Sequence, residues 1–135
     1  MVRAIIAALA FVACAAPAFA LERNDLIGEW QTQWANAPGQ TPDGGGPMRV
    51  TADTSADALD GMTPAPGMDG VMNGDVERDA NGALIWSGRW ASVWPEGATT
   101  GTFRFVFADA NSFTGVWSTD DGEIINAVWN GQRSR

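Results

Sequence analysis

Apolar and polar residues alternate along most of this chain with a period of two. Over 84–94, Leu84, Trp86, Trp90 and Trp94 share one parity, and Phe103, Phe105 and Phe107 share a parity on the following run. Successive side chains of a strand point to opposite faces, so each set falls on one side of a sheet. Nearer the start, Leu26, Trp30 and Trp34 point one way while Glu29, Gln31 and Gln33 point the other, which describes a strand with one wet face. The same pattern predicts strands over 26–34, 48–53, 59–63, 71–78, 84–94, 102–107, 112–118 and 124–131. Between them lie turn residues: Asp79-Ala80-Asn81-Gly82, Asp109-Ala110-Asn111 and Asp120-Asp121-Gly122, in which Asn and Gly tolerate φ > 0. The stretch 36–47 holds three prolines and Gly44-Gly45-Gly46 and reads as a mobile loop. Pro64-Ala65-Pro66-Gly67 reads as a loop or ragged edge, because proline cannot donate to a ladder.

A repeat supports the count of eight. Gly61, Gly88 and Gly115 recur at a spacing of 27 residues, and Gly28 precedes them by a longer step that contains the Pro/Gly stretch. Each unit reads as one hairpin, four in a row. Glycine inside a strand marks a bend or a close backbone approach, which a small curved barrel needs repeatedly. The predicted fold is therefore all-β: an antiparallel up-and-down meander closing as an eight-stranded barrel. Closure removes the two edges that an open sheet this apolar would expose.

The N-terminus changes the picture of where the domain begins. Arg3, an apolar run over 5–16 and Ala18-Phe19-Ala20 form a signal-peptide pattern with cleavage after Ala20. The expectation is a signal peptide over 1–20 and a single barrel domain over 21–135, periplasmic or secreted. The run is shorter than the roughly 20 residues of a comfortable span. Lipid attachment at Cys14 is the alternative; simple cleavage is preferred because a good Ala-x-Ala site follows downstream. With Cys14 removed, the domain has no cysteine and must hold together by packing and ladder alone. All sixteen acidic residues follow the signal, against seven arginines. That balance argues against nucleic acid, or a membrane surface after cleavage, as partner.

Candidate chemistry is sparse. The chain has no His, Lys or Tyr, so Ser–His and Cys–His dyads and soft-metal sites are excluded. Only paired carboxylates remain as a hydrolytic device, and nothing in the pattern sets two across a cleft. Glu77-x-Asp79-x-Asn81-Gly82 approximates the start of a calcium loop, but its closing acid would fall at Gly88, so a solvated turn is the better reading. Arg89 and Arg104 share the polar parity and are expected to face Glu29, Glu77 or Glu123 in exposed pairs. No enzyme activity, metal or cofactor is expected.

The layout resembles the avidin and streptavidin group of calycin-type barrels. The residues that carry the resemblance are Ile27-Gly28-Glu29-Trp30, Phe113-Thr114-Gly115-Val116-Trp117 and Ile125-Asn126-Ala127-Val128-Trp129. The chain also resembles small exported bacterial proteins with repeated Gly-x-Trp steps, which end in a phrase such as Trp129-Asn130-Gly131-Gln132-Arg133. The resemblance implies the fold but not biotin. The family's strand-three Tyr falls near Thr63, its strand-seven Trp at Phe113, and its final Asp has no counterpart. Only Trp129 matches a ligand-stacking position.

Two functional readings follow. In the first, an exported non-enzymatic barrel binds a small apolar or amphipathic ligand through Trp30, Trp86, Trp90, Trp94, Trp117 and Trp129. In the second, those aromatics fill the barrel solid. The protein is then a structural or interaction module, with the Pro/Gly segments at 36–47 and 64–74 as contact surfaces. Either reading is compatible with an oligomer.

Overall fold

A computed structural model describes residues 20–65 and 68–134. The segment read as a signal peptide, with Cys14, lies outside them except for Ala20. Eight strands follow in order: β1 (Gly28–Trp34), β2 (Gly44–Ala52), β3 (Ala58–Ala65), β4 (Met68–Arg78), β5 (Leu84–Trp94), β6 (Gly97–Phe107), β7 (Ser112–Thr119) and β8 (Ala127–Arg133). Each pairs antiparallel with its sequence neighbour, and β8 returns to β1 to close the barrel, with Trp34 opposite Trp129 and Trp30 opposite Arg133. The parity of the sequence becomes inside and outside. Trp30, Met48, Val50, Leu59, Met72, Leu84, Trp86, Phe103, Phe105, Phe107 and Phe113 are buried in the lumen.

So many rings fit because large inward side chains face glycines across the ladder. Gly61 lies opposite Met72, Gly101 opposite Trp90, Gly115 opposite Phe105 and Gly131 opposite Phe113. A Cβ on Gly131 would sit 2.1 Å from the Phe113 ring, and one on Gly61 would sit 2.8 Å from that of Trp86. The glycines make room for rings that belong to other strands.

The same device moves several predicted boundaries. The Gly44-Gly45-Gly46-Pro47 segment, read as mobile loop, is strand: Gly44 pairs with Trp34 and lies against its indole, while Pro47 pairs with Gln31. The β2–β3 register runs only from Arg49–Met62 to Ala52–Leu59. Two steps further from the β2–β3 loop it would oppose Pro47 with Pro64, and neither has an N–H to donate. Strands β3 and β4 extend through most of the segment read as a ragged loop, and β6 begins five residues earlier than predicted. The last strand begins at Ala127 rather than at 124, because Asn126 takes φ 53°, a left-handed turn conformation. Leu26 is buried as expected but belongs to a 3₁₀ turn (Arg23–Leu26) ahead of β1.

That turn plugs one end of the barrel. Trp30 Nε1 donates to Leu26 O at 3.0 Å, and the Arg133 guanidinium lies 4.5 Å from the centroid of the Trp30 ring. Arg133 also donates to Ile27 O (3.0 Å), Ala110 O (2.7 Å) and Asp25 O. Arg23 reaches Ser55 O and Ala58 O, tying the β2–β3 loop to the same end. The arginines thus cap carbonyls at the closed end, which places the question of function at the other.

Candidate binding site

The opposite end is framed by the loops between β1 and β2, β3 and β4, β5 and β6, and β7 and β8. Inside it is a cavity of about 620 Å³ to which every strand contributes. Its walls are Trp34 from β1, Gly46 from β2, Thr63 from β3, Gly70 from β4, Trp90, Ser92 and Trp94 from β5, Thr99 from β6, Trp117 and Thr119 from β7, and Trp129 from β8. Asn36, Asp121, Glu123 and Ile124 come from the loops, and Pro47 and Pro64 mark the seam where the β2–β3 ladder stops. A second depression opens on the outer wall between Arg49, Met62, Val71 and Arg89, and reaches in past Gly61 to Met72 and Trp90.

Four of the five indoles form an edge-to-face chain. Trp34 and Trp129 are 6.0 Å apart, Trp129 and Trp117 6.5 Å, and Trp117 and Trp90 5.4 Å, with interplanar angles of 71–80°. Trp129 continues downward onto Phe105 at 5.0 Å, so the cavity floor is the roof of the core. Two indoles are pinned: Trp90 Nε1 donates to Thr102 O at 3.0 Å and Ser118 O at 3.2 Å, and Trp117 Nε1 donates to Ala35 O at 3.0 Å. Trp129 Nε1 is buried with no partner among the described residues.

Of the six tryptophans singled out from sequence, Trp90, Trp94, Trp117 and Trp129 meet at this cavity. Trp30 and Trp86 do not. Both are fully buried in the packed half, where Trp86 Nε1 donates to Gly74 O and its ring meets Phe103 and Phe105 edge-on. The sequence reading missed Trp34 as a site residue, although it shares the inward parity of Trp30 and stands at its strand's open end. It also missed the rim carboxylates as site residues: Asp121 reads there as a turn residue and Glu123 as a partner for Arg89 or Arg104.

The rim is a hydrogen-bonded turn. Thr119 Oγ1 donates to Asp121 Oδ1 at 2.6 Å and the Glu123 amide donates to the same oxygen at 2.9 Å. The hydroxyl first, then the amide, hold the Asp121 carboxyl below its ordinary range. Asp120 points to the outer wall, where Thr100 Oγ1 (2.5 Å) and Arg89 lower its pKa in that order. Arg89 therefore pairs with Asp120 rather than with the glutamates expected for it, and Glu29 pairs with Arg49. Asp109 and Asp53 are lowered too, first by the amides of Asn111 and Ser55 respectively.

These shifts set a direction for pH. A carboxylate whose folded pKa is depressed stabilises the fold above its unfolded pKa, and that contribution disappears as pH falls through the folded value. The unfolding midpoint in urea is thus expected to stay nearly level from about pH 8 to about pH 5, since no His titrates there. Below the ordinary aspartate value of 3.8 it should fall. Asp109→Asn should flatten that fall, and a midpoint that rises on acidification would contradict the assignment.

Neither a family model nor a curated protein matches this chain. Among solved structures, a redesigned β-barrel is similar to it, with a TM-score of 0.58 and 21% identity over 83% of this chain and 94% of that one. The likeness shows the fold: an antiparallel barrel of this size and winding.

Proposed function

We propose that this chain is an exported, non-enzymatic carrier that holds one small amphipathic molecule in the open mouth of its barrel, in the manner of the calycin-type barrels it resembles. The observation that carries this reading is that the lumen is filled at one end only. Nine or more aromatic side chains could have packed the barrel solid; instead five indoles wall a space of about 620 Å³. Small-molecule sites run to about 300–1,000 Å³ and are mostly apolar with a few placed polar groups. Ser92, Thr99 and Thr63 supply such groups here. A structural module would favour a filled interior. The Pro/Gly segments offered as its contact surfaces run into the rim of this same cavity, so they serve the carrier reading equally well.

The test is native mass spectrometry on residues 21–135 recovered gently from the host's envelope fraction, with indole emission recorded before and after solvent extraction. A co-purifying small molecule is expected, with a red shift on its removal as the mouth indoles become wet. The Trp117→Ala protein should fold and lose the bound mass. A bare mass with unresponsive emission in both proteins would sink the carrier and leave the structural module.

A further inference from the structure

The mouth has a sign of charge as well as a shape. Indole faces carry the negative side of the ring quadrupole, and tryptophan is the strongest of the aromatic partners for a cation. Five such rings converge here. The four loops that frame the mouth carry Asp43, Glu96, Asp120, Asp121 and Glu123 and no arginine. Asp120 is taken up by Arg89 on the outer wall, but Asp121 and Glu123 line the cavity itself and pair with no arginine among the described residues. Asp121 is also fixed in place by Thr119 and the Glu123 amide. The arginine that enters the lumen, Arg133, does so at the far end, over Trp30.

An anionic ligand would find no guanidinium or ammonium in this cavity to receive it. A wholly apolar one would gain nothing from the two carboxylates that line it. An alkylated ammonium satisfies both walls: its positive charge meets indole faces and carboxylates, and it sheds less tightly held water than a primary ammonium would.

We propose that the ligand is an organic cation with an alkylated ammonium head beside Asp121 and Glu123 and an apolar remainder against the floor of Trp90 and Trp129. This inference rests on the carrier reading and narrows it to a substrate class.

Three probes with one skeleton separate the two ideas: benzyltrimethylammonium, its uncharged carbon isostere neopentylbenzene, and the anion phenylmethanesulfonate. Each is titrated into residues 21–135 by indole quenching and calorimetry. The cation should bind at least about tenfold more tightly than the neutral isostere. The double variant Asp121→Asn/Glu123→Gln, whose side chains are exposed and whose fold is checked by its urea midpoint, should bring the cation to the isostere's affinity and leave the isostere unchanged. Equal binding of cation and isostere, tightest binding of the sulfonate, or a variant that binds the cation as before would each overturn the cation and leave the carrier standing. If none of the probes binds, the cation is overturned; the carrier stands if the native mass spectrum still shows a co-purifying molecule and falls with a bare mass.

Discussion

Replacing Trp30 by alanine is expected to lower the free energy of unfolding by about 3–5 kcal/mol, the range for truncating a buried aromatic. Domains of this kind are stable by only about 5–15 kcal/mol in total. Trp30 is fully buried, meets Phe107 edge-on at 5.3 Å, tilts against Phe113 at 5.6 Å and is covered by Arg133. Its Nε1 fixes Leu26 and with it the 3₁₀ turn that closes this end. Losing the ring opens a cavity, frees a cation from its aromatic partner and releases the plug in one step. Trp94→Ala removes the same side chain from the mouth, where it is only partly buried, and should cost clearly less, about 1–2 kcal/mol. Urea midpoints of the two variants, followed by far-ultraviolet circular dichroism, decide the matter. Similar shifts would mean that the barrel is not divided into a packed end and an open one.

That division is the part of the molecule the sequence carries least. Parity assigns Trp30, Trp86, Trp90 and Trp94 to the inside without difficulty, since alternation is local. It does not say how far along the axis each one sits. Trp86 and Trp90 are four residues apart on one strand, yet one is core and the other cavity floor. Their fates depend on which end is plugged, and the plug is built from Leu26 and Arg133, over a hundred residues apart. Strand centres were legible for the same local reason, and the 84–94 strand appears over the residues expected. Strand ends were not, because their inward positions are glycines whose space is taken by a neighbour's ring. Gly44 lies under Trp34 and Gly101 under Trp90, so the apolar pattern that would mark those ends is written on the partner strand.

The rim carboxylates were hidden differently. Asp121 and Glu123 have ordinary turn chemistry, and only the meander places their loop with three others at the open end. In an up-and-down barrel every second hairpin shares an end, so the count of eight strands already implied the company of 35–43, 95–96 and 120–126. Charge becomes informative once that company is known, since isolated surface acids mean little.

Gly88→Ala is the second large effect expected, and it tests whether the repeating glycines mark close backbone approach. A Cβ at Gly88 would lie 2.1 Å from Asn73 O and 2.5 Å from the Cα of Gly74, its register partner on β4. Both obstacles are backbone, so the methyl can be accommodated only by parting β4 from β5 in the middle of their ladder. Gly97 stands at the end of the neighbouring ladder, and a Cβ there would meet nothing nearer than the Trp94 ring at 3.5 Å. Neither glycine has positive φ, so conformational strain does not separate them and space alone does. Gly88→Ala should therefore cost about 1–3 kcal/mol or more. Gly97→Ala should be neutral or stabilise by up to about 1 kcal/mol through the unfolded chain. Urea midpoints measure both, and amide exchange should show the loss at Gly88 concentrated in β4 and β5. If the two alanines are tolerated alike, the 27-residue spacing of Gly61, Gly88 and Gly115 has no steric cause.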